Sequence, residues 1–420
     1  MSWRLSLRMP IAGSLQPVFR PVHPVLGRRY SSIPKVSDPL RILFCGSDEF
    51  SCTSLKALHA EHTRNAELIR SIDVVVRPGK PTGRGYKTIR EAPLKKLAEE
   101  LKLNIHERDT FTGWDMPEPT NLIIAVSFGL FVPPRLLRAA KYGGLNVHPS
   151  LLPDLRGPAP LQHALLSRRS HTGVSLQTLS DKTFDAGTVL SQTPLPGIPI
   201  PPNCTVQQLH DMLAPLGADM LVDGLRNGVH VPPHVDVGWS SNPLPTPPNG
   251  SPMPELKHAP KITPADRQLS WSTSSASSVA LQSRVVGQLW THALHKSGSG
   301  KRVILDSITE VVPPTQYPDH VIKSFARAIQ QNQTDTLPDV KRVTWLQQPP
   351  FDKTLQQIRT PCFIDSDGQS ILVPMPGGGG GGGGGLLRVG VIKVEGDKAK
   401  PAATAIQAFF YEGGSDVSSD

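Results

Sequence analysis

The sequence predicts an α/β fold, with a parallel sheet in a first domain and short strands in a smaller, β-rich second domain. The first observation is an alternation of almost wholly apolar strands with helical segments over 41–147. The second is a series of short strands separated by turn residues from 302 onwards. The third is composition. Hydrophobic residues make up 38% of the 420 residues, enough for a core, while 43 prolines and 36 glycines indicate long loops and linkers.

The first domain is predicted from its strands and helices in chain order. Apolar and β-branched runs predict strands at 41–47, 72–76, 121–128, 145–147 and 172–179. Helical spacing of apolar residues predicts helices at 50–62, 94–103, 133–142 and 205–227. Strands as continuously apolar as these indicate a parallel sheet that is covered on both faces.

The turn after the first strand excludes two nucleotide-binding classes. Gly46-Ser47-Asp48 lacks the GxGxxG pattern of a dinucleotide site, and no GxxxxGK[ST] occurs in the chain. The sequence therefore does not support a nicotinamide or flavin dinucleotide fold or a P-loop nucleotide hydrolase.

A polar cluster follows the strand at 145–147. Asn146 and His148 lie two residues apart, so they share one face of that strand, and ligands of such sheets bind at the carboxyl ends of strands. Asn146 offers an amide donor to a developing oxyanion, and His148 can polarise a carbonyl or move a proton near neutral pH. Asp185, in a tight turn before Ala186 and Gly187, is placed to set the tautomer and charge of His148.

Three motifs in this order resemble the folate-dependent formyltransferases: NVHPSLLP at 146–153, RGPAP at 156–160 and DAG at 185–187. The resemblance implies a Rossmann-like formyltransferase domain with 10-formyltetrahydrofolate as co-substrate and no metal. It also implies that Asn146, His148 and Asp185 are catalytic. The folate-binding residues that it implies are Ser150, Leu151, Leu152 and Pro153.

A basic loop at 77–90 contains five Lys or Arg side chains and no acidic residue. Its three glycines make it mobile, which suits contact with phosphates, although a solvated surface loop is the commonest meaning of such a run. With AVSFGLFVP at 125–133 and the C-terminal region, this loop narrows the resemblance to the branch that acts on methionyl-tRNA. In that branch the loop wedges into the acceptor end of the tRNA. The tRNA-binding candidates are Lys80, Arg84, Lys87 and Arg90.

The second domain follows a Pro-rich linker. We expect a formyltransferase domain at 38–228, a linker at 229–260 and a C-terminal domain at 261–412. A helix over 275–294 and strands at 302–308, 362–364, 369–373 and 386–394 predict a small barrel, which the resemblance identifies as an OB-like, tRNA-binding barrel. Nine consecutive glycines at 377–385 are an insertion, and 413–420 is an acidic tail.

The first 37 residues have the composition of a mitochondrial transit peptide. They hold six Lys or Arg and no acidic residue, interleaved with apolar residues and serines. The alternative is a disordered N-terminal extension. We expect import into the mitochondrial matrix, four reduced cysteines without a CxxC pair, and no membrane association, since no apolar run reaches the ~20 residues of a span.

Together these features predict transfer of a formyl group from 10-formyltetrahydrofolate to the α-amine of methionyl-tRNA, for mitochondrial translation initiation, by a monomer. Two alternatives remain at the sequence level. One is a formyltransferase that acts on another amine, of glycinamide ribonucleotide or an amino sugar. The other is a non-catalytic RNA-binding protein built on a decayed formyltransferase scaffold.

Overall fold

The computed structural model describes residues 35–241, 255–311, 341–347, 355–375 and 385–411. Described residues from Val36 onwards belong to one compact unit. The expected transit peptide lies outside these ranges except for 35–37, as do the acidic tail and all but the last glycine of 377–385. In the described ranges, no helix combines the length and apolarity that crossing a membrane requires.

The first part of the chain alternates strands and helices. Its strands are β1 Leu40–Gly46, β2 Ile69–Val76, β3 Lys80–Thr82, β4 Thr88–Arg90, β5 Asn104–Glu107, β6 Leu122–Val126, β7 Gly144–His148, β8 His171–Thr172, β9 Ser175–Thr178, β10 Val189–Gln192 and β11 Ile198–Pro199. Its helices are α1 Glu49–Arg64, α2 Pro93–Glu100, α3 Pro134–Ala139, α4 Pro160–Leu166 and α5 Val206–Arg226.

Seven of these strands form one sheet, in the order β10-β9-β7-β6-β1-β2-β5. The five strands from β7 to β5 are parallel, which confirms the predicted α/β class. The edge formed by β9 and β10 is antiparallel, so the sheet is mixed there. The register sets Asn146 opposite Gln177 and His148 opposite Ser175.

Both faces of the sheet are covered, as the apolar strands predict. Ile42 and Phe44 of β1 belong to a core that includes α1, α2 and α5. Leu43 and Cys45 point the other way, into a second core that includes α3. Since strand side chains alternate between faces, a strand buried on both sides must be apolar at every position.

The second part of the chain is antiparallel. Its strands are β12 Leu289–Leu294, β13 Gly300–Val311, β14 Arg342–Gln347, β15 Gln356–Pro361, β16 Phe363–Ile364, β17 Ile371–Pro374, β18 Leu386–Val394, β19 Lys400–Pro401 and β20 Phe410–Tyr411. In the described ranges two helices accompany them, α6 Ala276–Val286 and α7 Ala402–Ala405.

This second sheet curls towards closure. Its order is β15-β14-β12-β13-β18-β17-β16, with β19 on β18 and β20 on β14. β15 and β16 stand at opposite ends of that order, yet only Cys362 separates them in the chain. The two ends of the sheet are therefore close in space, and the predicted β-rich second part is confirmed.

One prediction in this region was wrong. The helix expected over 275–294 ends at Val286, because Gly287 has φ +82° and leaves the helical conformation. The last six residues form β12, in which Leu289, Thr291 and Ala293 are buried and the residues between them are half-buried. This alternation is the period of a strand, which a helical interpretation of the segment overlooked.

Candidate active site

The end of β7 brings two of the predicted catalytic side chains to the carboxyl edge of the parallel strands. Asn146 is half-buried and His148 is buried. Both lie on one face of the strand, as their two-residue spacing requires. The sharp turn at the end of β7 is closed by the N–H of Ser150, which donates to the carbonyl of His148 over 2.9 Å.

The carboxylate of Asp185 joins these two residues. Its Oδ1 accepts from Nδ2 of Asn146 at 3.0 Å and lies 3.4 Å from Nδ1 of His148. Its Oδ2 accepts from the backbone N–H of Gly157 at 3.0 Å. The structure therefore places Asn146, His148 and Asp185 in one cluster, although Asp185 lies 39 residues from Asn146 in the chain.

Gln177 is a fourth polar member of this cluster, and sequence reasoning missed it. Its Nε2 donates to Oδ1 of Asp185 at 3.3 Å, and its Oε1 accepts from the N–H of Gly187 at 3.1 Å. Gln177 is a buried glutamine on β9, opposite Asn146, and the composition of that short strand does not single it out. Gln177 holds both ends of the turn that carries Asp185.

At Gly187 the backbone of that turn closely approaches the backbone of β9. A Cβ at this position would lie 1.7 Å from the carbonyl oxygen of Thr178, so a side chain cannot be accommodated without moving the backbone. The glycine of the DAG motif is thus required by close approach of two backbones. Asp185 itself has φ +53°, a left-handed conformation that Asp tolerates better than most residues.

The ring of His148 is held on both sides. Its Nε2 lies 3.0 Å from the carbonyl oxygen of Leu155, which can only accept, so Nε2 carries a proton. Its Nδ1 faces the carboxylate of Asp185. Both ring nitrogens thus face protein acceptors, while Asn146 keeps a second amide N–H beyond the one given to Asp185.

The loop predicted to line a folate site is largely turned inward. Ser150 and Leu152 are buried, and the Ser150 hydroxyl donates to the carbonyl of Asp154. The backbone of the loop is bonded to the hydroxyl of Ser175 and the side-chain amide of Gln192. Its half-buried side chains, which a ligand can reach, are those of Leu151 and Pro153.

An aromatic pair borders Asp185. The rings of Phe131 and Phe184 meet edge to face, with centroids 5.3 Å apart, and Phe184 is 57% exposed. Phe131 lies in the segment after β6, the strand next to β7. The pair gives the cluster an apolar, partly exposed neighbour.

The basic loop forms the hairpin β3–β4, with Lys80 paired with Arg90. Lys80, Lys87 and Arg90 are exposed, whereas Arg77 is bound to Asp109 at 2.6 Å; the side chain of Arg84 lies outside the described part. The hairpin follows the carboxyl end of β2, three strands from β7 in the sheet. Strand spacing puts the carboxyl ends of β2 and β7 about 15 Å apart along one edge.

Two further observations concern ionisable side chains. Burial raises the pKa of Asp48, which caps α1 at the carboxyl end of β1, while hydrogen bonds from Ser51 and Ser127 oppose that shift. Within the described ranges, no three His, Cys, Asp or Glu side chains are grouped as metal ligands would be.

Comparison with known proteins identifies the family of this chain. The chain matches the family described as Formyl transferase over residues 40–225. It is 31% identical over 309 residues to the mitochondrial methionyl-tRNA formyltransferase of Saccharomyces cerevisiae, covering 64% of this chain and 73% of that protein. The chain belongs to the formyl transferase family. The matched range of this formyl transferase contains the whole cluster, the inward-turned loop and the basic hairpin.

Other relatives match over a smaller share of their length. The human mitochondrial methionyl-tRNA formyltransferase is 32% identical over 253 residues, which is 60% of this chain. The chain spans 58% of the length of that relative. Among solved structures, an N-formyltransferase from Helicobacter canadensis in complex with folinic acid and dTDP-3-aminofucose is 11% identical, with a TM-score of 0.45, covering 83% of this chain and 98% of that one.

Proposed function

We propose that this formyl transferase moves the formyl group of 10-formyltetrahydrofolate to the α-amine of methionyl-tRNA. The observation that carries the proposal is the carboxylate of Asp185, bonded to Asn146 and to the backbone of Gly157 and facing His148, at the ligand-binding edge of the sheet. Membership of the family supplies the reaction class. The product is N-formylmethionyl-tRNA together with tetrahydrofolate.

The chemistry needs an oxyanion donor and a proton carrier. As the neutral amine attacks the formyl carbon, negative charge develops on the formyl oxygen, and the second amide N–H of Asn146 donates to it. Asp185 accepts the proton that the amine loses, and that proton ends on N10 of the departing folate. The ring of His148, whose Nδ1 lies 3.4 Å from Oδ1 of Asp185, holds that carboxylate in place. The reaction requires no covalent bond to the protein.

The surface beside the cluster supports a folate site there. Phe131 and Phe184 present an apolar aromatic face next to Asp185, suited to a flat heterocyclic ring. Leu151 and Pro153 contribute the accessible part of the neighbouring loop. We propose that these four side chains, with Ser150 and Leu152 as buried support, form the folate site.

The acceptor is a nucleic acid held at two places. The exposed cations of the hairpin lie on the same edge of the sheet as the cluster, and region 257–410 carries six more basic than acidic groups. We propose that Lys80, Arg84, Lys87 and Arg90 contact the acceptor end, and that an OB-like domain at 261–412 binds the body of the tRNA. We further propose that the protein is monomeric.

The cellular role follows from the N-terminal composition. The acid-free leader at 1–37 supports import, and the human and yeast relatives are named as mitochondrial. We propose that the protein acts in the mitochondrial matrix and supplies translation initiation there.

The test incubates the full chain with 10-formyltetrahydrofolate and charged methionyl-tRNA and measures formyl-methionine on the tRNA. We expect product from the wild type and a loss of product from His148→Ala. If the protein formylates glycinamide ribonucleotide or an amino sugar instead, the proposed acceptor, methionyl-tRNA, is wrong. Failure to formylate any of these amines, by a folded protein that binds folate and tRNA, would contradict an enzymatic role.

A further inference from the structure

A segment at the end of the Pro-rich linker lies along the loop beside the active site. We call residues 255–259 the docking segment and residues 154–159 the catalytic loop. The N–H of Leu155 donates to the carbonyl of Lys257 at 2.8 Å, and the N–H of Ala259 donates to the carbonyl of Arg156 at 2.7 Å. The N–H of Ala159 donates to the carbonyl of Ala259 at 3.1 Å. The two segments therefore pair through a parallel β-bridge between Arg156 and His258.

The other side of the catalytic loop holds the site. The carbonyl of Leu155 accepts from Nε2 of His148, and the N–H of Gly157 donates to Oδ2 of Asp185. The same short stretch thus bonds to His148 and Asp185 on one side and to the docking segment on the other. A shift of this stretch would move both side chains together.

The conformation of the catalytic loop requires support. Leu155 has φ +58°, which is costly for a residue of that size, and Gly157 has φ +122°. A Cβ on Gly157 would lie 2.4 Å from the carbonyl oxygen of Ala259, so the docking segment approaches as closely as only glycine permits. Backbone of this kind persists only where its surroundings fix it.

An ion pair fixes the docking segment in place. Asp154 is 8% exposed, and its Oδ1 accepts from the N–H of Lys257 at 2.9 Å and from Nη2 of Arg169 at 3.0 Å. The same Nη2 donates to the carbonyl of Glu255 at 2.6 Å. Asp154 and Arg169 therefore hold the docking segment through its backbone, whatever side chains it carries.

We propose that Asp154 and Arg169 are positioning residues for formyl transfer: they seat the docking segment, which fixes the loop that holds His148 and Asp185. The inference rests on the proposed function and adds residues to it. It means that the site at the edge of the first sheet is completed by the last residues of the linker.

The test is Asp154→Ala in the full chain. Because a small displacement of reacting groups costs up to ~10²-fold in rate, we expect kcat for methionyl-tRNA to fall by about 10- to 100-fold while the KM for folate changes less than about twofold. Asp154→Asn should recover most of kcat, since its amide oxygen still accepts from Lys257. Amide hydrogen exchange at Gly157 should accelerate in the alanine variant.

Glu61→Ala is the matched control. Glu61 is a carboxylate of 2% exposure, paired with Arg226 at 2.7 Å. It lies near the end of α1, which starts at the carboxyl edge of the sheet and runs back for 16 residues, about 24 Å. We expect this variant to lose thermal stability but to keep both kcat and the exchange rate at Gly157.

Each outcome decides the inference. An unchanged kcat in Asp154→Ala, or a loss of kcat that Glu61→Ala shares, would overturn it. If the wild type transfers no formyl group to methionyl-tRNA, the proposed function fails by itself. The exchange rate at Gly157 then decides whether Asp154 positions the loop, because that measurement needs no substrate.

Discussion

Nδ2 of Asn146 donates to Oδ1 of Asp185 at 3.0 Å, and this bond ties the end of β7 to the turn that follows β9. Because one amide N–H of Asn146 donates to this carboxylate, the rotation of the Asn146 amide group is fixed. The second N–H then has a defined direction before any substrate arrives. A donor oriented in advance is what stabilises a developing oxyanion most effectively.

Asn146→Ala should lower turnover by ~10²–10³-fold, because it removes that donor and the hydrogen bond that holds Asp185. The measurement is kcat for formylation of methionyl-tRNA at saturating folate. Near-normal turnover would exclude Asn146 from the reaction.

Asn121→Ala is the matched control for this prediction. Asn121 precedes β6, at the opposite edge of the sheet, where its side chain bonds to the backbone of Arg41 and Pro39. Its loss should reduce stability while leaving kcat within about twofold, since a side chain that far from the cluster contacts none of the reacting groups.

Neutralising the basic hairpin should weaken tRNA binding without affecting folate. Arg84→Ala should raise the KM for tRNA. The triple variant Lys80→Ala/Lys87→Ala/Arg90→Ala should reduce the salt dependence of tRNA binding. The slope of the logarithm of the binding constant against the logarithm of the salt concentration should fall in magnitude by about 2–3. Filter binding between low and moderate salt measures this slope.

A triple variant with the same change of charge is the control for the hairpin. Lys56, Lys96 and Arg138 are exposed cations on α1, α2 and α3. Their replacement by alanine should leave the salt slope nearly unchanged. Equal losses in both triple variants would mean that net charge, and not the hairpin, binds the tRNA.

The four cysteines should be inert in the folded protein. All are buried free thiols. Burial raises the pKa of Cys45, Cys204 and Cys362, and it raises that of Cys52 to about 11 with help from Glu49 and Asp48. Because the thiolate is the reactive form, a disulfide reagent at pH 8 should modify them at least ~10²-fold more slowly than in the unfolded chain. Rapid modification of one native thiol would contradict this burial.

The sequence was informative where side-chain pattern determines structure. The continuous apolar runs of β1 and β6 predicted a doubly covered sheet, because residues of both faces must be apolar. The two-residue spacing of Asn146 and His148 predicted their shared face. The order of motifs predicted that Asp185 joins them.

The remainder depends on contacts that leave no side-chain pattern. The docking segment forms its hydrogen bonds through its backbone. The side chains of Lys257 and Ala259 therefore do not indicate that the segment pairs with the catalytic loop, about a hundred residues earlier. The antiparallel pairing of β9 with β7 is not marked in the composition of β9. Gln177 gains its role only from that register, which sets it opposite Asn146.

The pairing of the docking segment with the catalytic loop also affects how the site is made during synthesis. Lys257 and Asp154 are 103 residues apart. At ~5–20 residues per second, a ribosome needs roughly 5–20 s to make that stretch. During this interval β7 and its polar side chains exist without their support. The strands of the first sheet are therefore made before the segment that supports the catalytic loop.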